Sequence, residues 1–457
     1  MSYQKIYNNA PLFVQQTLIS IFNYLAYKKR YGAKYEEKRK EYLANRGVSL
    51  PELKKIQQQK FDTFIALTFA NSPYYKKEYA DRFKGIKLPQ LTTMPILEKN
   101  TLKERVTEFY STSVAEGVLS KTGGTTGKSL EVIFTKDDMN DRFAMLDDFR
   151  ARFGYKLGKK TAWLSGKSIL TPKDVKNNRF WKTDNLYKVR YYSTFHIKDD
   201  FLGHYLDNLM QYKPEYISGF PTAVMAIASY GLQHGIDYPS SIKAIFTTSE
   251  TLTPTMRAAI QEFFKAPVYN QYSASEGAPF IFECKNHKLH MELQSGIFEV
   301  LDGNDQPTQE GRLVVTSFTS NGTPLVRYDI GDAIKLSSET CTCGNNNPLV
   351  EEILGRTDDF IYSPENGKIH LTNVANSIKD VKGIGKMQII QNHVNEILFL
   401  VVDDGGFDAA SRKKMESNWR ERVGDKMKIE IKIVPEIKSE KSGKFRIIKN
   451  TIYHLVP

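Results

Sequence analysis

The run Ser120-Lys121-Thr122-Gly123-Gly124-Thr125-Thr126-Gly127-Lys128 holds the densest anion-binding chemistry in the chain. Its three glycines let successive backbone N–H groups point toward one spot. Thr125, Thr126 and Lys128 add hydroxyl and ammonium donors around it, a nest suited to the polyphosphate of ATP. A Walker loop places four residues between its first glycine and Gly-Lys-Ser/Thr, whereas Gly123 and Gly127 enclose three. Leu130-Glu131-Val132-Ile133-Phe134 then reads as a strand, where a Walker loop would open a helix. The plain alternative is the tip of a hairpin.

The three cysteines, Cys284, Cys341 and Cys343, all fall in one stretch. Cys341-Thr342-Cys343-Gly344 can turn two thiolates toward one ion, and Cys284 is followed by His287 and His290. Cys284, Cys341, Cys343 and one of these histidines, His290 or His287, make the sulfur and nitrogen set that structural zinc prefers. With every position filled by protein, the ion is expected to be structural; the alternative is three free thiols. The absence of an even set for disulfides fits a reducing, cytoplasmic compartment.

These groups need a scaffold, and 457 residues are enough for two or three domains. Hydrophobic content of 40% and charged content of 25% describe a globular protein. Helical patterns cover 34–70, 98–109 and 137–154. Thr161-Ala162-Trp163-Leu164 reads as a strand. Helices over 199–212, 221–234 and 253–264 then lead to strands at 216–219, 244–247 and 268–272. This alternation predicts a mainly parallel sheet with covering helices, and ligands at the strand C-terminal ends. Those ends carry Gly219-Phe220-Pro221, Thr248-Ser249-Glu250 and Tyr272-Ser273-Ala274-Ser275-Glu276. From about residue 291 the texture is antiparallel β, with a junction at Gly355-Arg356-Thr357-Asp358-Asp359 and a small α+β core beyond it.

The net charge of +12 is spread along the chain without a nucleic-acid recognition motif, so it reads as solvated surface with some attraction for anionic substrates. The apolar segment from Pro11 to Tyr27 carries Gln15, Gln16, Thr17 and Asn23. It is too polar to span a membrane and lacks a secretory cleavage site. As a helix it gathers Leu12, Val14, Leu18, Ile19, Phe22 and Leu25 on one face, followed by Lys28, Lys29 and Arg30. That face either packs on the first domain or rests on an anionic membrane.

Four further motifs follow the glycine loop in order. Tyr272-Ser273-Ala274-Ser275-Glu276-Gly277 has the form Tyr-x-x-Thr/Ser-Glu. Arg327-Tyr328-Asp329-Ile330-Gly331-Asp332 follows Thr323-Pro324-Leu325, then come Gly355 to Phe360 and Ser442-Gly443-Lys444-Phe445-Arg446. With the loop, these five resemble the adenylate-forming superfamily over about residues 60–450. The nearest likeness is to its phenylacetate–CoA ligase branch, including relatives found in capsular polysaccharide biosynthesis, and the cysteines resemble the zinc site of that branch.

The resemblance implies an α/β fold. A large N-terminal domain, residues 1–355, would have mainly parallel sheets, covering helices and a zinc-bearing β-rich part near 284–345. A small mobile α+β domain would cover 356–457. It further implies that a carboxylate attacks the α-phosphate of ATP to give an acyl-adenylate, with CoA as the acceptor. In that scheme Thr122, Gly123, Gly124, Thr125, Thr126, Gly127 and Lys128 hold the β- and γ-phosphates, Glu276 holds Mg²⁺, and Ser275 bonds near the α-phosphate. Tyr272 lies against adenine beside Thr248, Ser249 and Glu250. Asp332 takes the ribose hydroxyls with Arg356 nearby. Lys444 bridges the two reacting anions, and Asp358 is the hinge.

The chain departs from the pattern after the hinge. The family's CoA ligases carry an Arg-Gly pair there, where this chain reads Ile361-Tyr362-Ser363-Pro364-Glu365-Asn366-Gly367-Lys368. Thr248-Ser249-Glu250 also replaces the more usual Gly-Ala-Glu. An amine or hydroxyl acceptor in glycan biosynthesis therefore stands beside CoA, and a silent nucleotide-binding scaffold is the non-enzymatic alternative. Phe195, His196, Phe220, Phe246 and Ala274 are candidates for the acyl pocket.

Overall fold

The computed structural model describes residues 7–121, 130–239, 241–356, 359–370, 377–378, 381–440, 442–452 and 455–456. Strands β1 (Val118–Lys121) and β2 (Glu131–Phe134) form an antiparallel hairpin whose pairing closes at Lys121↔Glu131. Next come β3 (Thr161–Ser165), β4 (Trp181–Asp184), β5 (Val189–Ser193), β6 (Tyr216–Gly219), β7 (Ala244–Thr247) and β8 (Val268–Tyr272). They continue into β9 (Ile281–Glu283), β10 (Leu289–Met291), β11 (Gly296–Leu301), β12 (Glu310–Ser317), β13 (Tyr328–Leu336) and β14 (Leu349–Arg356). All but the hairpin belong to one twelve-stranded sheet, ordered β11-β12-β13-β14-β10-β9-β8-β7-β6-β3-β5-β4.

Strands β5, β3, β6, β7 and β8 run parallel, as the strand–helix alternation predicts. Both faces of this part are apolar, as parallel strands require. Ala162, Leu164, Ile217 and Ile245 pack under the helices Asp199–Tyr212, Pro221–Gln233 and Pro254–Phe264. On the other face Tyr216, Phe246 and Tyr269 meet Ala144, Met145 and Phe149 of the helix Lys136–Ala151. Pro221 and Pro254 open their helices at the first turn, where the missing N–H costs nothing, so the chain leaves each strand end sharply.

β8 pairs parallel with β7 through Asn270, then antiparallel with β9 from Gln271. The turn after Tyr272 therefore sits where the two halves of the sheet meet, a crevice of the kind that takes ligands in α/β sheets.

Beyond residue 359 lie the hairpin β15 (Phe360–Ser363) and β16 (Gly367–His370), then β17 (Ile384–His393), β18 (Glu396–Asp403), β19 (Lys428–Ile433) and β20 (Ile448–Asn450). The last four form a separate sheet, ordered β19-β18-β17-β20. Its core of Ile389, Phe399 and Val401 is closed by Trp419 of the helix Ala409–Val423.

Two helical runs are shorter than the pattern predicts. The 34–70 run breaks into Ala33–Ala44 and Leu50–Asn71. Between them Gly47 takes φ +77° and Ser49 caps the second helix through Glu52 N. The 98–109 run is two short helices, Lys99–Glu104 and Val106–Phe109. The helix Leu12–Arg30 forms, but its polar side faces the protein.

Trp419 is fully buried, and its indole N–H has no partner among the described residues. Trp419→Ala should therefore cost about 3–5 kcal/mol. Trp419→Phe, which keeps most of the ring and removes the orphaned donor, should cost less than about 2 kcal/mol. Urea unfolding of the two variants checks this order.

Candidate active site and metal centre

Three of the singled-out residues meet at the end of β8. Asp332 and Arg356 face each other across β13 and β14. The Tyr272 hydroxyl donates to Asp332 Oδ2 at 2.6 Å, and Arg356 Nη1 donates to Asp332 Oδ1 and to Ile330 O, each at 3.3 Å. Burial pushes the Asp332 carboxyl above its usual range, while the Arg356 charge and the Tyr272 bond pull it back. Burial and the neighbouring carboxylate push the Tyr272 phenol well above 10, so it acts as a donor. Gly331 stands at φ +75°, and a Cβ there would lie 2.9 Å from Arg356 Nη2; glycine lets the guanidinium reach the carboxylate.

The turn after Tyr272 is held by Arg142, on the helix Lys136–Ala151. Its guanidinium donates to Gly277 O at 3.0 Å, Ala278 O at 3.2 Å, Thr319 Oγ1 at 2.9 Å and Ser273 Oγ at 2.6 Å. Desolvation beside Phe134 and Phe280 lowers its pKa to about 10, which still leaves it charged at neutral pH. This fork fixes both ends of the segment carrying Ser275 and Glu276. Ser275 O accepts from Ser120 Oγ at 3.1 Å, which brings the stem of the glycine loop against the same turn. The Glu276 carboxylate is buried, 3.4 Å from Lys99 Nζ.

Lys444 reaches this end of the sheet on a tight turn, in which Glu440 N donates to Lys444 O and Gly443 N to Glu440 O, both at 2.8 Å. Two contacts dock the turn. Phe445 N donates to Glu250 Oε1 at 2.8 Å, while Glu250 Oε2 accepts from the Thr222 hydroxyl at 2.7 Å and Thr222 N at 3.2 Å. In addition, Gly166, just past β3, lies against the backbone of Ser442 and Gly443. A Cβ on Gly166 would stand 1.9 Å from Ser442 O, and one on Gly443 would stand 2.6 Å from Thr194 Oγ1. Glu250 is thus committed to a helix N-terminus and the Lys444 turn. Beside it Ser249 adopts a left-handed φ of +71°, and Thr248 N bonds Gly219 O.

The second cluster joins Cys284, His290, Cys341 and Cys343, whose donor atoms all lie within 4.8 Å of one another. Cys284 Sγ is 3.7 Å from Cys341 Sγ, and Cys343 Sγ is 3.5 Å from His290 Nε2. Two thiolates about 2.3 Å from a tetrahedral ion lie about 3.8 Å apart, so this spacing fits one cation. The other ring nitrogen, His290 Nδ1, bonds Asn347 O at 3.1 Å, which leaves the Nε2 lone pair facing the sulfurs. His287 points away, bonding Glu283 Oε1 at 2.8 Å and stacking on Tyr269. Of the two histidines, the geometry brings His290 into the cluster.

Thr122 to Lys128 and Asp358 lie outside the described residues. The acyl-pocket candidates Phe220 and Phe246 are packed in the cores on either side of the parallel strands. Arg142, Lys99, Gly166 and the clamp made by Glu250 escape the sequence reading.

The fold is that of the adenylate-forming enzymes. The structure matches 2-hydroxyisobutyryl-CoA ligase in the postadenylation state, in complex with R3-HIB-AMP, with a TM-score of 0.72 at 16% identity over 90% of this chain and 92% of that one. Against the same ligase in the thioesterification state with 2-HIB-AMP and CoA the TM-score is 0.58. The chain belongs to the CapK family, in the phenylacetate–CoA ligase branch of that superfamily. It is 30% identical to Protein CapK of Staphylococcus aureus over 98% of this chain and 99% of that one, and residues 361–451 match the CapK C-terminal domain. It is also 24% identical to a phenylacetate–coenzyme A ligase of Thermus thermophilus over 68% of this chain and 72% of that one.

Arg142→Lys keeps the charge but cannot make four bonds from one plane. It should lower stability by about 2 kcal/mol in urea unfolding, by leaving polar groups of the Ser273–Ala278 turn unpaired.

Proposed function

We propose that this protein uses ATP to activate a carboxylic acid as an acyl-adenylate and passes the acyl group to CoA. The observation that carries this reading is the seating of the Lys444 turn on Gly166 and Glu250, at the sheet end that also holds Tyr272, Asp332 and Glu276. The better overlap with the postadenylation state, 0.72 against 0.58, supports the same arrangement.

In this reading the acid's carboxylate oxygen attacks the α-phosphorus, the bond to the bridging oxygen of the β-phosphate breaks, and pyrophosphate leaves. Both reactants are anions, so the attack needs positive charge at the meeting point. Lys444 supplies it from a compact ammonium on a long stem. Asp332 receives the ribose hydroxyls, with Arg356 and Tyr272 fixing its orientation, and the Thr122–Lys128 loop holds the outer phosphates. Mg²⁺, when bound, would offset phosphate charge, and the buried Glu276 carboxylate would be its ligand on this chain. In the second half the CoA thiol attacks the acyl carbonyl and AMP leaves. Residues 356–457 act as the mobile unit about Asp358, and residues 1–355 hold the adenylation machinery.

Three buried hydroxyls near the docked turn, Ser165 Oγ, Thr194 Oγ1 and Ser218 Oγ, have no partner among the described residues. An unpaired buried hydroxyl costs about 1–3 kcal/mol. A second reading keeps the adenylate but gives the acyl group to an amine or hydroxyl. It is favoured by the segment in place of the family's Arg-Gly pair, which is the β15–β16 hairpin with Ile361 buried.

A panel of polar, aromatic and fatty acids, assayed for pyrophosphate release with hydroxylamine, then with CoA or amines, tests the reading. The expected result is acid-dependent release and a CoA thioester. Release without any thioester favours the second reading, and no release with any acid contradicts both. Lys444→Ala should reduce pyrophosphate release at least about a thousandfold, while ATP affinity by calorimetry changes less than about threefold. The four-donor cluster holds a structural Zn²⁺ in this proposal. Native mass spectrometry should show one zinc per chain. Cys343→Ser should lose it and lower the melting temperature by roughly 5 °C or more.

A further inference from the structure

The helix Leu12–Arg30 turns its polar side to the protein. Ser20 Oγ donates to Asp184 Oδ1 at 2.8 Å, Asn23 Nδ2 donates to Asp184 Oδ2 at 2.7 Å and to the Tyr191 hydroxyl at 3.0 Å, and Gln15 bonds the buried Lys182. The opposite side is apolar and open. Phe13 and Phe22 are each 70% exposed, Leu25 56%, Ile21 50% and Leu18 43%. A water-facing helix ordinarily shows the reverse pattern, and monomeric proteins rarely expose so contiguous an apolar surface.

The charge on this element is one-sided. The helix carries no acidic residue, and Lys28 and Lys29 stand exposed at its end. A two-fold contact with a second copy would run this helix antiparallel to itself and lay Lys28 and Lys29 against the apolar first turn of the other helix, with no acidic residue on the helix to receive them. An apolar face with aromatic side chains and terminal lysines matches the headgroup layer of an anionic bilayer, where the rings enter the acyl boundary and the ammonium groups meet lipid phosphates. No helix among the described residues is long and apolar enough to cross a membrane, so the contact lies on one surface.

We propose that the outer face of the helix Leu12–Arg30 docks this protein on an anionic lipid bilayer. The inference is independent of the reaction proposed above. The full chain is sedimented with extruded vesicles of phosphatidylcholine alone, or of phosphatidylcholine and phosphatidylglycerol in equal parts. The wild type should bind the anionic vesicles. Lys28→Glu with Lys29→Glu should weaken that binding roughly ten- to thirtyfold. Ile21→Ser with Phe22→Ser should abolish it, with circular dichroism and melting temperature unchanged because both side chains are exposed. A wild type left in the supernatant with anionic vesicles overturns the proposal, as does undiminished binding by the Ile21/Phe22 variant. A wild-type dimer in analytical ultracentrifugation that this variant dissociates, without vesicle binding, assigns the face to a second copy and equally overturns it.

Discussion

The arrangement of the site depends on a place where two stretches of backbone touch with no side chain between them. Gly166 directly follows β3 and Gly443 precedes Lys444, and each would collide with the opposing segment if it carried a Cβ. Side chains of ordinary size would hold the Lys444 turn several ångströms from the sheet. Glu250 adds a directed bond across the same contact, with its second oxygen anchored at the start of the helix Pro221–Gln233. The contact is small and largely steric, so it can be made and released without unpacking a core. In the reaction proposed above, that would suit a lysine needed for one half and not for the other.

Around this contact the site is organised by preplaced charge. Arg356 and Tyr272 orient the Asp332 carboxylate, Arg142 pins the turn that carries Glu276, and Lys99 stands beside Glu276. Each acidic group is buried and has a cation or donor at hand. The protein itself therefore holds these side chains in position, the preorganisation that the proposed meeting of two anions would need.

Local signals in the sequence carry much of this structure. The alternation of apolar strands with helices opened by Pro221 and Pro254 yields the parallel centre of the sheet, and strand ends mark where Glu250 and Tyr272 stand. The Cys-x-Cys pair and the Cys284–His290 stretch are close enough in sequence to suggest their cluster, though only the fold separates His290 from His287. The contacts that hold the site together are of another kind. Arg142 meets Ser273 across 131 residues, Lys99 meets Glu276 across 177 and Glu250 meets Phe445 across 195, with no local pattern announcing any of them. The helix Leu12–Arg30 shows the limit of periodicity. Its apolar face is legible, but which side faces the protein is decided by Lys182, Asp184 and Tyr191 on strands far along the chain.

Substitution of Gly166 by alanine bears most directly on this account, because it adds one methyl group at the backbone contact and touches no titratable group. The account predicts that Gly166→Ala loses acid-dependent pyrophosphate release by at least about a hundredfold, yet still converts a synthetic acyl-adenylate and CoA to thioester at near the wild-type rate. Pyrophosphate release at the wild-type rate by a folded Gly166→Ala protein would contradict it.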